Sequence, residues 1–337
     1  MFIIKKGISL KEYNTFGIDV SSTYYVEAGT MEKISFAANF AAYNEVPIMV
    51  LGGGSNTLFT GNYNGMVLRP TVRGIALAED MPREVLLRVG AGVRWDALVE
   101  FCVSKGLYGL ENLSGIPGDV GGAAVQNIGA YGAEVSERIA KVEGLNIALR
   151  TPLALSSEEC AFGYRDSIFK RELRGSAIIT HVCFKLSKSP DFRLDYGDLS
   201  ARVEAQGEPT LVNVRQAVLD IRAEKLPNPL QLGNAGSFFK NPVVSAARHD
   251  ELLAQYADMP SHTLADGSVK LHAAWLIDQC GWKGKRVGNC GVHANQALVL
   301  VNHGGATGSE IAQLANDIKQ SVSERFAIEL EPEVTLV

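Results

Sequence analysis

Two glycine-rich stretches in the sequence have the composition needed to bind phosphate groups. The first is Gly52-Gly53-Gly54-Ser55-Asn56, directly after an apolar run, and the second holds six glycines between Gly115 and Gly132. Backbone N–H groups can surround a pyrophosphate only where no Cβ blocks its approach. One such stretch alone is often just a tight turn. Two in one chain favour a ligand with an extended phosphate chain.

The usual nucleotide-binding motifs do not account for these glycines. In the first stretch, Thr57 stands where the dinucleotide-binding fingerprint has its third small residue, and residues 58–62 do not open a long helix. The sequence contains no GxxxxGK followed by Ser or Thr, which excludes a P-loop. The phosphate-bearing ligand is therefore predicted to bind in a different fold.

Composition excludes several other function classes. Five cysteines and six histidines are dispersed, without a CxxC or HExxH pattern, so we expect neither a disulfide framework nor a metal site. The net charge of -5 and the lack of a basic run argue against nucleic-acid and membrane partners. No apolar run approaches the roughly 20 residues of a membrane span, and the start does not have the order of a secretory signal. A cytoplasmic location is expected.

Periodicity predicts a chain of mixed helices and strands, with a length that favours two or three domains. The predicted elements of the first half are a helix over 31–44, strands over 47–51, 66–68 and 85–89, a turn at Asn64-Gly65, and a helix over 95–105 that Gly106 ends. Residues 187–210 are predicted to form a long exposed loop or a boundary. A helix through Val214 and Ile221 is expected to end before Pro227.

The end of the chain has the clearest local signals. Thr307 and Glu310 form a capping box, followed by an apolar stripe from Ile311 to Val322. Residues 328–334 alternate as in a half-buried strand, which puts Glu333 on the same solvent-facing side as the glutamates before it.

Six motifs occur in a fixed order and together resemble the UDP-N-acetylenolpyruvoylglucosamine reductase family. They are Asn14–Gly17, Gly52–Asn56, Ile116–Gly118 with Gln126–Gly132, Phe162–Phe169, Gly233–Pro242 and Glu331–Val334. No single motif is decisive, but the six in register cover residues 14–334. The loop around Tyr196 is similar to that of the larger family subgroup. One departure is Ala124, where many relatives have proline.

The resemblance implies an α+β protein with a two-lobed FAD-binding fold of the vanillyl-alcohol-oxidase (PCMH) type and a separate α+β substrate-binding domain. The expected boundaries are 1–66 for the first FAD-binding lobe, 67–210 for the second, and 211–327 for the substrate domain, with 328–337 returning to the FAD-binding part. Non-covalent FAD, NADPH as hydride donor and a UDP-sugar substrate are implied. We expect a monomer.

By the same resemblance, the glycine-rich stretches would hold FAD. The implied cofactor-binding residues are Gly52, Gly53, Gly54, Ser55, Asn56, Ile116, Pro117, Gly118, Gly121, Gly122, Gln126, Asn127, Gly129 and Ala130. The implied substrate-binding residues are Tyr131, Tyr196, Arg222, Lys225, Asn241 and Gln296. The alternative for the substrate set is an ordinary solvated polar surface.

Three residues match the catalytic positions of the family. Ser237 would donate a proton, Arg165 would hold the substrate carboxylate with its fork of donors, and Glu333 would polarise the enol system. Without the resemblance, Ser237 is typical of a turn, Arg165 of a surface ion pair with Asp166 or a neighbour, and Glu333 of an exposed strand face.

Two competing functions remain open at this point. One is another FAD-dependent oxidoreductase of the same fold that acts on an alcohol or amine. The other is a flavin-free protein that binds or transfers a nucleotide sugar. A yellow colour of the purified protein separates the second from both flavin enzymes.

Overall fold

A computed structural model describes residues 3–337 of the chain, and the α+β class expected from the sequence is confirmed. The strands are β1 (Lys5–Ser9), β2 (Ser21–Ala28), β3 (Ile48–Val50), β4 (Thr57–Leu58), β5 (Tyr63–Pro70), β6 (Ile75–Asp80), β7 (Glu84–Gly90), β8 (Gly129–Ala130), β9 (Ala133–Glu134), β10 (Ile139–Asn146), β11 (Thr151–Ser156), β12 (Ala177–Ser187), β13 (Gly233–Ser237), β14 (Val243–Val244), β15 (Ser261–Thr263), β16 (Val269–Leu271), β17 (Arg286–Val287), β18 (Cys290–Val292), β19 (Val299–Asn302) and β20 (Thr335–Leu336).

Of the eight helices in residues 3–337, the four over 31–43, 95–104, 211–225 and 308–326 lie at predicted positions. The eight are α1 (Met31–Tyr43), α2 (Trp95–Ser104), α3 (Val120–Gln126), α4 (Leu199–Glu204), α5 (Leu211–Lys225), α6 (Ala246–Leu253), α7 (Ala273–Gln279) and α8 (Gly308–Phe326). Four 3₁₀ turns lie at Lys11–Tyr13, Glu111–Leu113, Val135–Glu137 and Ile168–Lys170. The capping box of α8 forms as predicted, with the Thr307 side chain accepting from the Glu310 amide.

The chain divides into two compact units. The first contains residues 1–8, 21–54 and 63–222, and the second contains 9–20, 55–62 and 223–337. The finer division of the FAD-binding part into two lobes, with boundaries at 66 and 210, stays a prediction.

The first unit is built on two sheets. One has the order β1-β2-β5-β3, in which β2, β5 and β3 run parallel, and Ile34, Ala37 and Ala41 of α1 join its core. The other has the order β11-β10-β12-β7-β6 and is antiparallel. The helices α2 and α3 add buried side chains such as Trp95 to its core.

The second unit contains a four-stranded sheet of order β13-β19-β18-β17 and a three-stranded sheet of order β14-β16-β15. The apolar stripe of α8 is buried in one core with Phe238, Phe239 and the centre of α7. Strands β4 and β20 pair in parallel, so residues 55–62 are fixed to the segment that follows Glu333.

Three local predictions were wrong. Asn64-Gly65 is not a turn but part of β5, where Gly65 is required because a Cβ would lie 2.6 Å from the Pro47 carbonyl oxygen. Residues 187–210 are not one continuous loop, since Leu199 and Val203 of α4 are buried against α5. Residues 328–334 alternate in burial but form only one bridge, between Pro332 and Phe239, and the regular strand begins at Thr335.

Candidate active site

The first glycine loop lies at the end of β3 in the first unit. Gly52 and Gly53 are half-buried, and Gly54 has a φ of +65°, which a glycine adopts without strain. A Cβ on Gly53 would lie 2.8 Å from the Gly118 Cα, so the two glycine-rich stretches touch here. Within residues 3–337, no oxygen accepts a hydrogen bond from the Gly52 or Gly53 amide.

The second stretch uses most of its amides within the protein. The Val120 and Gly121 amides donate to the carbonyl oxygens of Val93 and Ala91, both at 2.9 Å. A Cβ on Gly121 would be 3.0 Å from the Ala91 Cβ, so this glycine is needed for packing. Gly122 differs, because a Cβ there would meet no atom within 4 Å.

These features fit an FAD pyrophosphate. Two half-buried amides without an acceptor, on a loop whose glycines permit close approach, can hold phosphate oxygens. The open side of Gly122 leaves space beside them. The carboxylate of Asp119 lies at the same junction, with Oδ2 3.9 Å from Arg69 Nη2, and burial raises the pKa of Asp119.

Other implied cofactor residues are placed by core packing. Ile116 and Ala130 are partly buried against the apolar core of the antiparallel sheet. The Gln126 Oε1 atom accepts from Lys170 Nζ at 3.0 Å. Asn127 is fully buried at the end of α3, with a φ of +41° and a side chain bonded to Glu134, Gly163 and Ser136.

Arg165 lies in the first unit, in a two-residue turn that reciprocal Gly163 and Asp166 backbone hydrogen bonds close at 3.0 Å. Its guanidinium donates to the Gly129 carbonyl oxygen and lies 4.0 Å from Glu134. Of the two partners expected for a surface ion pair, Asp166 pairs with Arg171, whereas Glu134 is the acidic residue that lies within ion-pair distance of Arg165.

Three implied substrate residues lie near one another in the first unit. The rings of Tyr131 and Tyr196 meet edge to face with centroids 6.0 Å apart, and Tyr196 is 57% exposed. Burial raises the pKa of Tyr131 and lowers the pKa of Arg222. Tyr131 also packs against the apolar cluster that contains Ile221, the residue before Arg222. Arg222 also lies against Gly115.

Ser237 is the last residue of β13 in the second unit. It pairs with Val299 of β19, and the next amide, Phe238 N, donates to Leu298 O at 2.8 Å. The deep burial of Phe238 and Phe239 fixes the backbone at this point. No described residue of the second unit hydrogen-bonds to the Ser237 hydroxyl, which is half-buried.

Glu333 lies beside this strand. Its amide donates to Phe238 O at 2.8 Å, and its carbonyl oxygen accepts from Asn56 Nδ2 at 3.1 Å. Glu331 is exposed and pairs with Lys240 at 2.7 Å, whereas Glu333 is half-buried. The expectation of one common solvent-facing side for these glutamates was therefore wrong at Glu333, because Pro332 bridges to Phe239 and ends the regular alternation.

The remaining implied substrate residues lie in the second unit. Asn241 Oδ1 accepts from the first amide of α7, Ala273 N, at 3.0 Å. Gln296 lines a cavity of about 180 Å³ together with Trp275 and Lys283. Lys225 is exposed at the end of α5.

Two acidic residues that support the site were not predicted from the sequence. Asp96 accepts from the Gly115 amide at 2.6 Å and from both terminal nitrogens of Arg215 at 2.7 and 2.8 Å. Burial opposes ionisation of Asp96, but the Arg215 hydrogen bonds hold its pKa below the ordinary value. The other is Glu134, which contacts Arg165. No sequence signal marks Asp96, since its ion-pair partner is 119 residues away.

The described residues offer neither a metal-binding cluster nor a membrane-spanning helix. Residues 3–337 contain no cluster of three His, Cys, Asp or Glu side chains that could hold a metal ion. In the same range, no helix has both the length and the apolar character needed to cross a membrane.

Two family matches cover most of the chain. Residues 22–148 match a family described as an FAD binding domain. Residues 228–337 match the C-terminal domain of UDP-N-acetylenolpyruvoylglucosamine reductase.

Full-length relatives give the same result. A UDP-N-acetylenolpyruvoylglucosamine reductase of Bacteroides fragilis is 44% identical, and the alignment covers 99% of this chain and 100% of the relative. The enzyme of that name from Chromobacterium violaceum is 46% identical over 98% of this chain and 97% of its own length. The crystal structure of the Thermus caldophilus reductase is 26% identical with a TM-score of 0.71, covering 100% of this chain and 99% of that one.

Proposed function

Because this chain belongs to the UDP-N-acetylenolpyruvoylglucosamine reductase family, we infer that it reduces UDP-N-acetylglucosamine enolpyruvate to UDP-N-acetylmuramate with NADPH and FAD. The product is a precursor of peptidoglycan. The FAD-binding match over 22–148 counts against a flavin-free sugar-binding protein, and the C-terminal match counts against an alcohol or amine oxidase.

Bound FAD would supply the hydride chemistry that links NADPH to the enolpyruvyl double bond. The protein must bind the cofactor, hold the substrate carboxylate, stabilise the enolate-like charge and supply one proton. We propose that the Gly52 and Gly53 amides bind the pyrophosphate, which their lack of a protein acceptor supports.

The observation that carries the catalytic assignment is the backbone contact that holds Glu333 opposite Phe238, directly after Ser237. It fixes a carboxylate-bearing and a hydroxyl-bearing residue on neighbouring extended segments of one unit. The Ser237 hydroxyl would protonate the substrate carbon next to the carboxylate, and Glu333 would polarise the enol system. Arg165, whose fork can bind both carboxylate oxygens, would balance the charge that develops there.

Substrate binding is proposed for Tyr131, Tyr196, Arg222, Lys225, Asn241 and Gln296. The ring contact of Tyr131 with Tyr196 in the first unit, beside the part of α5 that carries Arg222, supports a shared binding surface for the UDP part. The cavity beside Gln296 offers a second polar surface in the other unit. Lys225 would act as a point charge on phosphate.

The family resemblance also carries two expectations about the state of the protein: a monomer, located in the cytoplasm. Light scattering of the purified holoenzyme tests the first, and fractionation of the producing cells tests the second.

The Ser237→Ala variant tests the proposed proton donor. NADPH should still bleach the flavin, whereas reoxidation by the UDP-sugar without oxygen should slow by about 10²- to 10⁴-fold, the usual contribution of one general acid. Stopped-flow absorbance measures both half-reactions. Ser261→Ala, at an exposed serine on β15 of the same unit, is the matched control. If both half-reactions slowed equally in Ser237→Ala, the serine would be structural.

A further inference from the structure

We propose that Asn127 and Glu134 are positioning residues, which together hold the Arg165 guanidinium ready for the substrate carboxylate. This inference rests on the proposed function of Arg165. It gives Asn127 a different role from the cofactor contact that the family resemblance implies for it.

The backbone of Arg165 is in an unfavourable conformation that its surroundings maintain. Its φ of +54° is in the left-handed region, which non-glycine residues rarely adopt. The Gly163–Asp166 hydrogen bonds close the turn, and Lys170 Nζ donates to the Arg165 carbonyl oxygen at 2.8 Å. The turn therefore directs the side chain to one side independently of any ligand.

Both terminal nitrogens of the Arg165 guanidinium contact protein oxygens. It donates to the Gly129 carbonyl oxygen and, at 3.5 Å, to the Asn127 carbonyl oxygen, while Nη1 lies 4.0 Å from Glu134 Oε1. A Cβ on Gly129 would be 2.7 Å from Nη1 and 3.0 Å from the Ala133 carbonyl oxygen, so a side chain at this position would displace the guanidinium. Each terminal nitrogen carries two N–H groups, so a guanidinium can contact protein oxygens and a carboxylate at the same time.

Asn127 hydrogen-bonds both to the turn that contains Arg165 and to Glu134, the carboxylate beside Arg165. Its Nδ2 donates at 2.8 Å both to Glu134 Oε2 and to the Gly163 carbonyl oxygen, and its Oδ1 accepts from Ser136 N at 3.1 Å. Both N–H groups of the amide are thereby used, and the residue is fully buried. Its side chain has no donor left for FAD.

Glu134 supplies the charge in this arrangement. Its side chain is 34% exposed, and it lies between the Asn127 amide and the Arg165 guanidinium. In Glu134→Gln the side chain keeps an oxygen that can accept from Asn127, but it loses the charge that attracts Arg165. The guanidinium should then occupy a wider range of positions, and a small displacement of a binding group is enough to cost an order of magnitude or more.

The test compares Glu134→Gln with the control Glu137→Gln in FAD-loaded enzyme. Glu137 is 35% exposed and pairs with Arg193, so it matches Glu134 in exposure and type but does not contact Arg165. Calorimetry measures the Kd of UDP-N-acetylglucosamine enolpyruvate for oxidised enzyme, and of UDP-N-acetylglucosamine, which lacks the carboxylate. We expect Glu134→Gln to raise the Kd of the first ligand about 10-fold and to leave the Kd of the second unchanged. Equal weakening of both ligands, or none of either, overturns the proposal.

A double-mutant cycle with Arg165→Lys adds a second readout. If Glu134 acts through the Arg165 guanidinium, Glu134→Gln should weaken substrate binding little further once Arg165 is lysine. Fully additive losses of binding free energy in the double variant overturn the proposal. Failure of the function itself looks different. Wild-type enzyme that does not reduce the UDP-sugar rejects the proposed function, whereas active wild type beside an unaltered Glu134→Gln rejects only the positioning role.

Discussion

The two glycine-rich loops of the first unit have similar compositions but different hydrogen bonding. At Gly52 and Gly53 the amides have no acceptor among residues 3–337, whereas the Val120 and Gly121 amides donate to neighbouring carbonyl oxygens. A glycine is needed at position 121 because Ala91 packs against it, whereas Gly122, the other glycine of α3, faces open space. Glycine content therefore identifies where a backbone comes close to something, but only the hydrogen bonds show whether that partner is protein or ligand.

The largest effect is expected for Gly53→Ala. The added Cβ would be 2.8 Å from the Gly118 Cα, a backbone atom that cannot move independently, so the two loops must separate. Overpacking of this kind costs about 1–3 kcal/mol, and the displaced amides would no longer match the pyrophosphate. Purified protein should contain little flavin, measured by its visible absorbance. A stable Gly53→Ala variant with full flavin content would show that the first glycine loop does not bind the cofactor.

Gly122→Ala should separate stability from cofactor affinity. Alanine in α3 has a better helix propensity, so the flavin-free protein should gain about 0.5–1 kcal/mol of unfolding free energy. The FAD affinity should nevertheless fall, because the Cβ fills the open side of the loop. Thermal unfolding and flavin titration measure the two quantities. Gly121→Ala is the control and should lower the FAD affinity less than Gly122→Ala does. A larger loss of affinity in Gly121→Ala would contradict the assignment of Gly121 to packing and of Gly122 to the cofactor.

The smallest effect is expected for Asp119→Asn, at the junction of the loops. Burial raises the pKa of Asp119, although Arg69, Arg73 and Arg94 oppose this rise. Since the folded state binds the proton more tightly than the unfolded chain, ionised Asp119 destabilises the fold at neutral pH, and this cost vanishes as pH falls below the ordinary range of aspartate. Asp119→Asn should raise Tm by a degree or two near pH 7. A gain that persists unchanged at acid pH would argue against the charge as its cause.

Much of the fold could be predicted from the sequence where local signals agreed with the tertiary structure. The helices α1, α2, α5 and α8 had apolar spacing and end signals that packing reinforced. Asn64-Gly65 failed because the approach of Pro47, distant in sequence, decided the conformation. The helix α4 was missed because its two buried side chains are too few for a clear period.

The candidate site was less accessible to sequence reasoning. Periodicity alone assigned Glu333 to solvent, and only the resemblance suggested otherwise, because the bridge of Pro332 to Phe239 has no local signature. The supporting contacts of Asp96 with Arg215 and of Glu134 with Arg165 depend on residues brought together by folding. The six motifs identified which residues matter, but not which of them bind ligand and which hold another residue in place.

The pairing of β4 with β20 has a consequence for the order in which the enzyme matures. Thr60 is joined to Val337 by backbone and side-chain hydrogen bonds, although the two residues are 277 positions apart in the sequence. Asn56 hydrogen-bonds to Glu333 over the same sequence separation. During synthesis, residues 55–62 leave the ribosome long before their partners exist and must wait for them. The proposed catalytic carboxylate is thus set in place by contacts that cannot form until residues 333–337 have been made, so a chain that stops before residue 333 lacks both the contacts and the carboxylate.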